Sequence, residues 1–225
     1  MSQQFTLVDS LALGDLATYL GRAARVEDGS TRLIAGSRVL AVYTAAFYPA
    51  GLHDDTPTVL GLRTFALADD VAFDVVVPLR SMLDRLARLT STVTDASAPV
   101  PVSLPLEVNT VVWAAISPPR GGWVSLPEIP GTLLTTVADA GISEVKDAVG
   151  GETGQLIVER VRREVWNRPI DGFEHVPAAA AFTGHALGFF GEGDNARVLE
   201  TGPWTRLTTE RGHVLVRRKP WTLQR

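Results

Sequence analysis

Seven of the fourteen prolines fall between Pro99 and Pro130. Proline lacks a backbone N–H and its ring clashes with the preceding helical turn, so no long helix can run through that stretch. Before it, helical and strand-like hydrophobic periods alternate. After it, the helical period dominates until a final hairpin. The pattern predicts an α+β fold: an N-terminal helix plus an antiparallel sheet with a covering helix, then a helical C-terminal part closed by a β-hairpin. The matching division is residues 1–127 and 128–225, as two regions or one continuous domain.

Leu13, Leu16, Ala17, Leu20, Ala23 and Ala24 recur at helical spacing, and Asp9 or Ser10 can cap the first turn. Gly14 and Gly21 share one side of that helix; each costs about 1 kcal/mol against alanine, which predicts a close approach by another element. Residues 31–35 and 39–47 read as strands joined around Gly36, the second apolar on both faces and therefore central, and Pro57 opens a third strand through Leu67. Pro78 marks a helix start. There Leu79, Met82, Leu83, Leu86 and Leu89 form an apolar stripe opposite a solvated ladder of Arg80, Asp84 and Arg88.

Within the proline-rich stretch, residues 108–116 are strand-like, with 123–126 returning antiparallel across a loop that displays Arg120. Helices are expected at 132–140, 143–149, 155–167 and 178–190, and strands at 204–209 and 213–218. A three-residue hairpin loop Glu210-Arg211-Gly212 places Leu207 opposite Leu215. A two-residue loop that sets Arg206 against Arg217 is disfavoured by like-charge repulsion.

Composition excludes several classes. The chain is 45% hydrophobic, which excludes disorder, and the absence of cysteine excludes a disulfide scaffold. A net charge of −4 excludes a wholly basic nucleic-acid binder. The first residues lack the basic and apolar regions of a secretory signal. The longest run free of Asp, Glu, Lys and Arg is residues 175–191, interrupted by two histidines, a proline and three glycines, so no spanning helix is expected. The expected compartment is the cytoplasm. Lys146 and Lys219 are the only lysines among 21 basic residues, an arginine bias that points to a GC-rich bacterial genome.

Candidate chemistry is sparse. His53, Asp54 and Asp55 sit in a polar loop between strands, where an imidazole beside carboxylates can act as a base or take a metal. The other histidines (His175, His185, His213) show no ligand spacing to it, and the ordinary reading is a solvated turn. Arg63 interrupts an apolar strand and requires a carboxylate or a bound anion. Gly150 to Gly154 precede a helix without the lysine of a phosphate loop. No metal and no cofactor is expected.

Residues 132–149 have the parts of a helix-turn-helix, but the second helix would present Glu144, Lys146 and Asp147, net negative against phosphate. A plain corner of two helices, packing Leu133, Val137, Val145 and Val149, is the better reading. Residues 151–218 also suit a winged helix whose wing carries Arg206, Arg211, Arg217 and Arg218, yet its reading helix, 178–190, is apolar and belongs in a core.

Residues 196–225 carry net +5 and the remainder −9. Either the tail folds back on an acidic body, or it forms a partner-binding edge of Arg206, Arg211, Arg217, Arg218, Trp204 and Trp221. The function expected is non-catalytic: association with a protein partner or a second copy through that edge. The alternatives are an enzyme built on His53, Asp54, Asp55 and Arg63, and a DNA-binding regulator.

Overall fold

Every second residue of the strand that begins at Ser30 is buried: Thr31, Leu33 and Ala35. This two-residue period gives the sheet one face to cover, and the helices supply the cover. The computed structural model describes residues 3–49, 51, 54–109, 111–148, 154–191 and 193–218. Its contacts define two compact units, Met1–Ala45 with Leu62–Ser117, and Ala46–Gly61 with Pro118–Arg225. The class is α+β, with antiparallel strands and helices segregated from them, as the sequence predicts.

The first unit contains β1 (Gln4–Leu7), α1 (Ser10–Val26), β2 (Ser30–Gly36), most of β3 (Val39–Phe47) and of β4 (Thr58–Ala66), β5 (Phe73–Pro78), α2 (Leu79–Thr92) and β6 (Val100–Ser103). Its strand order is β5-β2-β3-β4, and β1 pairs with β6. Leu33 faces Val42 on one side and Val75 on the other, so the three line one row of the buried face. Leu13, Leu16, Tyr19, Leu20 and Ala23 of α1, with Leu79, Met82 and Leu86 of α2, complete the core. Each buried leucine or valine contributes about 1.5–3 kcal/mol. Asp9 caps α1 by accepting from the Ala12 amide at 2.7 Å. Tyr19 is fully buried, its hydroxyl 3.0 Å from that of Thr44, and burial pushes its pKa up.

The β2–β3 turn is two residues long, Ser37 and Arg38, with φ of 52° and 59°. These left-handed angles match the twist of a hairpin. Arg38 is held there by its guanidinium, which donates to the Ala68 carbonyl at 2.7 Å. On α2, Arg80, Asp84 and Arg88 are exposed as expected, though Arg80 donates to Asp28 at 2.7 Å.

The strand expected at residues 108–116 does not form. Val112–Ala115 is a 3-10 turn, and Arg32 fixes it by donating to the Ala114 carbonyl at 2.7 Å while binding Asp74 at 2.6 Å.

The second unit contains β7 (Val124–Pro130), α3 (Gly131–Ala148), α4 (Gln155–Asn167), β8 (Pro169–Ile170), β9 (Phe173–Pro177), α5 (Ala178–Leu187), β10 (Asn195–Thr201), β11 (Trp204–Thr209) and β12 (Gly212–Arg217). Its strand order is β4-β12-β11-β10-β7, so β7 pairs with β10 and not with residues 108–116. Helix α5 is buried almost all round and ends where Gly188 turns left-handed at φ 73°.

Two expectations about glycine are overturned. Helix α3 runs unbroken through Gly141, so there is neither a corner nor a helix-turn-helix. Its buried stripe is Gly131, Leu134, Ala138 and Gly141, one residue out of phase with the expected Leu133 and Val137. A Cβ at Gly141 would lie 2.5 Å from the Trp166 ring, so this glycine exists to let α4 approach. Conversely, nothing stands within 4 Å of a Cβ at Gly14 or Gly21.

The two kinds of glycine therefore respond oppositely to alanine. Gly14→Ala and Gly21→Ala each raise unfolding free energy by about 0.5–1 kcal/mol, because backbone entropy is saved at no steric cost. Gly141→Ala lowers it by about 1–3 kcal/mol through overpacking against Trp166. Denaturant titration of the three variants checks both signs.

Candidate functional site

The hairpin register decides which side chains meet on the C-terminal strands. Thr209 pairs with Gly212 and Leu207 with Val214, leaving a two-residue turn, Glu210-Arg211. The expected register, Leu207 opposite Leu215, is therefore wrong by one residue. The reason is packing. A Cβ at Gly212 would lie 2.5 Å from the Phe189 ring, so Gly212 sits in the strand beneath that ring and not at the tip of the turn. Thr209 ties the same corner by donating to the Phe189 carbonyl at 2.8 Å.

With that register, residues of one parity share each face. On one face Val198, Leu207 and Val214 form a buried row. Glu200 lies on this side, where it accepts from Thr205 at 3.0 Å and meets Arg218 at 3.0 Å.

The other face is a grid of three rows. Arg197, Thr208 and His213 form the first, Leu199, Arg206 and Leu215 the second, and Thr201, Trp204 and Arg217 the third. Arg197, Arg206 and Arg217 thus occupy a diagonal. None of the nine residues is acidic, and among the described residues these three arginines form no ion pair. Glu128, at the β7 bulge near Arg197, forms none either. The Arg206 guanidinium carbon lies over the Trp123 ring, 4.5 Å from its centroid, and its buried Nε has no hydrogen-bond partner among the described residues. Trp204 and Leu215 are buried beneath this arrangement.

The electrostatics follow. Burial first, and then Arg206 and Arg197, push the His213 pKa down to about 4, while its Nδ1 lies 3.1 Å from the Thr208 hydroxyl. Burial and Arg197 together lower the pKa of Arg206, which stays charged.

The sequence-predicted residues are distributed as follows. Of the six in the basic edge, Arg206 and Arg217 are on the unneutralised face. Arg218 is on the opposite face with Glu200, and its buried Nε has no partner. Arg211, in the turn, lies 4.0 Å from Asp194. Trp204 is buried, and Trp221 lies outside the described residues. Arg197 and Trp123 were not singled out, since their place depends on strand β10 and on a loop.

His53 also lies outside the described residues. Asp54 accepts from the Thr56 amide at 3.0 Å and hydroxyl at 2.6 Å, a local turn, and lines a cleft of about 280 Å³ with Phe47, Arg162, Arg163 and Trp166. Asp55 lines a second cleft, of about 360 Å³, with His175, Glu174 and Arg218. Arg63, in the first unit, is paired with Asp15 and lies 5.8 Å from the Phe65 ring centre. Among the described residues no three His, Cys, Asp or Glu side chains gather as a metal site, and no helix is long and apolar enough to cross a membrane.

Residues 1–105 match a family described as "Domain of unknown function (DUF8010)", and residues 118–221 one described as "Domain of unknown function (DUF8185)". No curated protein matches the chain. Among solved structures the chain is similar to a DNA polymerase sliding clamp from Caulobacter crescentus, at 12% identity and a TM-score of 0.53, covering 96% of this chain and 65% of that one. It is also similar to Caulobacter crescentus pol III beta, at 10% identity and a TM-score of 0.52 with the same coverage. A third is a sliding clamp from Bartonella birtlesii bound to griselimycin, at 12% identity and a TM-score of 0.50, covering 95% and 64%. The shared feature is the fold, and the chain spans about two thirds of each clamp's length, just under that fraction.

The lowered His213 pKa has a measurable consequence. The unfolded chain takes up a proton near pH 6.5 and the folded protein only near 4, so the stability this residue contributes above pH 6.5 is lost as pH falls through that window. Between pH 7 and pH 4 the protein loses on the order of 2 kcal/mol more than a His213→Gln variant, read by urea denaturation at both pH values. Arg197→Gln raises the His213 pKa, measured by NMR titration.

Proposed function

We propose that this protein is a non-catalytic cytoplasmic association factor, which engages a protein partner or a second copy of itself through the C-terminal strands. The observation that carries this reading is the row-by-row segregation of charge on β10, β11 and β12. One face neutralises Arg218 with Glu200, and on the other, among the described residues, Arg197, Arg206 and Arg217 form no ion pair with a carboxylate. Clustered like charges repel one another, and a complementary surface relieves that cost.

Three further points support it. The outermost strand of the second unit, β7, carries Pro127 and Pro130 and a register shift, devices that discourage pairing through the strand edge. Contact through a sheet face does not depend on that edge. The described catalytic candidates have structural partners: Asp54 accepts from Thr56 in a local turn and lies 3.9 Å from Arg163, and Arg63 is paired with Asp15. Finally, the fold is shared with proteins titled as sliding clamps, one of them also as a DNA polymerase III subunit, and a subunit by its name works inside an assembly.

Site-specific photo-crosslinking in cells tests the reading. A photoreactive residue at Leu199, on the arginine face, gives a discrete protein adduct, and one at the exposed Leu106 of the first unit does not. Arg217→Glu abolishes the adduct, and mass spectrometry identifies it as a second copy or another protein. No adduct from Leu199, or an adduct with nucleic acid, overturns the reading.

A further inference from the structure

We infer that the arginine diagonal is a docking site for an extended acidic peptide segment, one whose carboxylates fall on alternate residues. This rests on the association reading above and names the partner's chemistry.

The geometry of the grid carries it. Arg197, Arg206 and Arg217 each step one strand across and two residues along. With strands about 4.8 Å apart and a two-residue rise of about 6.8 Å, neighbouring arginines are about 8 Å apart at their backbones. An extended peptide presents every second side chain on the same side, about 6.8 Å apart, and long arginine side chains take up the difference. Three alternate carboxylates can therefore meet three guanidinium groups in one pass.

The central group is the best prepared. The Arg206 guanidinium carbon lies 4.5 Å from the Trp123 ring centroid, and this contact limits the side chain's freedom before a ligand arrives. Preorganisation of that kind lowers the entropy lost when a carboxylate is bound. Arg197 and Arg217 at the ends of the diagonal are exposed.

Nucleic acid fits the same face less well. A single strand binds by stacking its bases on open aromatic rings. Here Trp204 is 4% exposed and Trp123 is already covered by Arg206.

The test uses the full chain and a fluorescein-labelled synthetic peptide with glutamate and serine in alternation, followed by anisotropy at low salt. Saturable binding is expected, weakened about tenfold or more in the double variant Arg197→Gln, Arg217→Gln. Both side chains are exposed, so the variant folds, and circular dichroism confirms it. Arg162→Gln, at the cleft on α4, leaves the affinity unchanged. Absence of saturable binding overturns the proposal, as does binding that the double variant retains. Tighter binding of an oligothymidylate through the same arginines overturns it in favour of nucleic acid. An adduct in the crosslinking experiment without peptide binding here leaves the association reading intact and removes only this choice of partner.

Discussion

The contact between Phe189 and Gly212 governs the chemistry of the second unit. It is a packing interaction with no charge in it, yet it selects the hairpin register, and the register selects the face on which every C-terminal side chain stands. Side chains on a strand alternate with a period of two, so a slip of one residue carries an entire set across the sheet. In the register with Leu207 opposite Leu215, Arg206 would stand opposite Val216, whose side chain is buried. Burying an unpaired guanidinium costs several kcal/mol. A glycine and an aromatic ring thus keep three arginines together on one side.

Much of the first unit was legible in the sequence because local signals there agree with the tertiary outcome. Leu13, Leu16 and Leu20 are buried as their spacing predicts, Asp9 caps α1, and β2 and β3 pair as a hairpin. Where the sequence misled, an unseen tertiary partner decided. Residues 108–116 have strand-like composition, but Arg32 reaches the Ala114 carbonyl from β2 and holds a tight turn instead. Gly141 looks like a break until Trp166 is placed against it. Gly14 and Gly21 look like a contact surface and face open space. A glycine in a sequence states that no side chain is present; whether that makes room for a neighbour is known only once the neighbour is there.

The candidate site shows the same limit in electrostatic form. A count of charges finds +5 in residues 196–225 but cannot distinguish Arg218, which meets Glu200, from Arg206, which lies over an aromatic ring and has no ion pair among the described residues. That distinction needs β10, and Asn195–Thr201 alternates too weakly in polarity to be recognised as a strand without its partners. Arg211 lies near Asp194 and Arg218 meets Glu200, an acidic residue of the same stretch, while among the described residues Arg197, Arg206 and Arg217 form no ion pair.

An arrangement of this kind is costly unless something outside the fold repays it. Arg206 is partly desolvated beside Arg197, and His213 is kept neutral by burial and by both. Replacing any of these cations with a neutral residue would relieve repulsion, and a carboxylate at Thr201 or Thr208 would neutralise the face from within the protein. The buried side of the same three strands does neutralise its arginine, so the fold has a local means of doing this. The guanidinium over Trp123 is therefore best understood as one half of an interaction, with its freedom limited in advance and its countercharge supplied by another molecule.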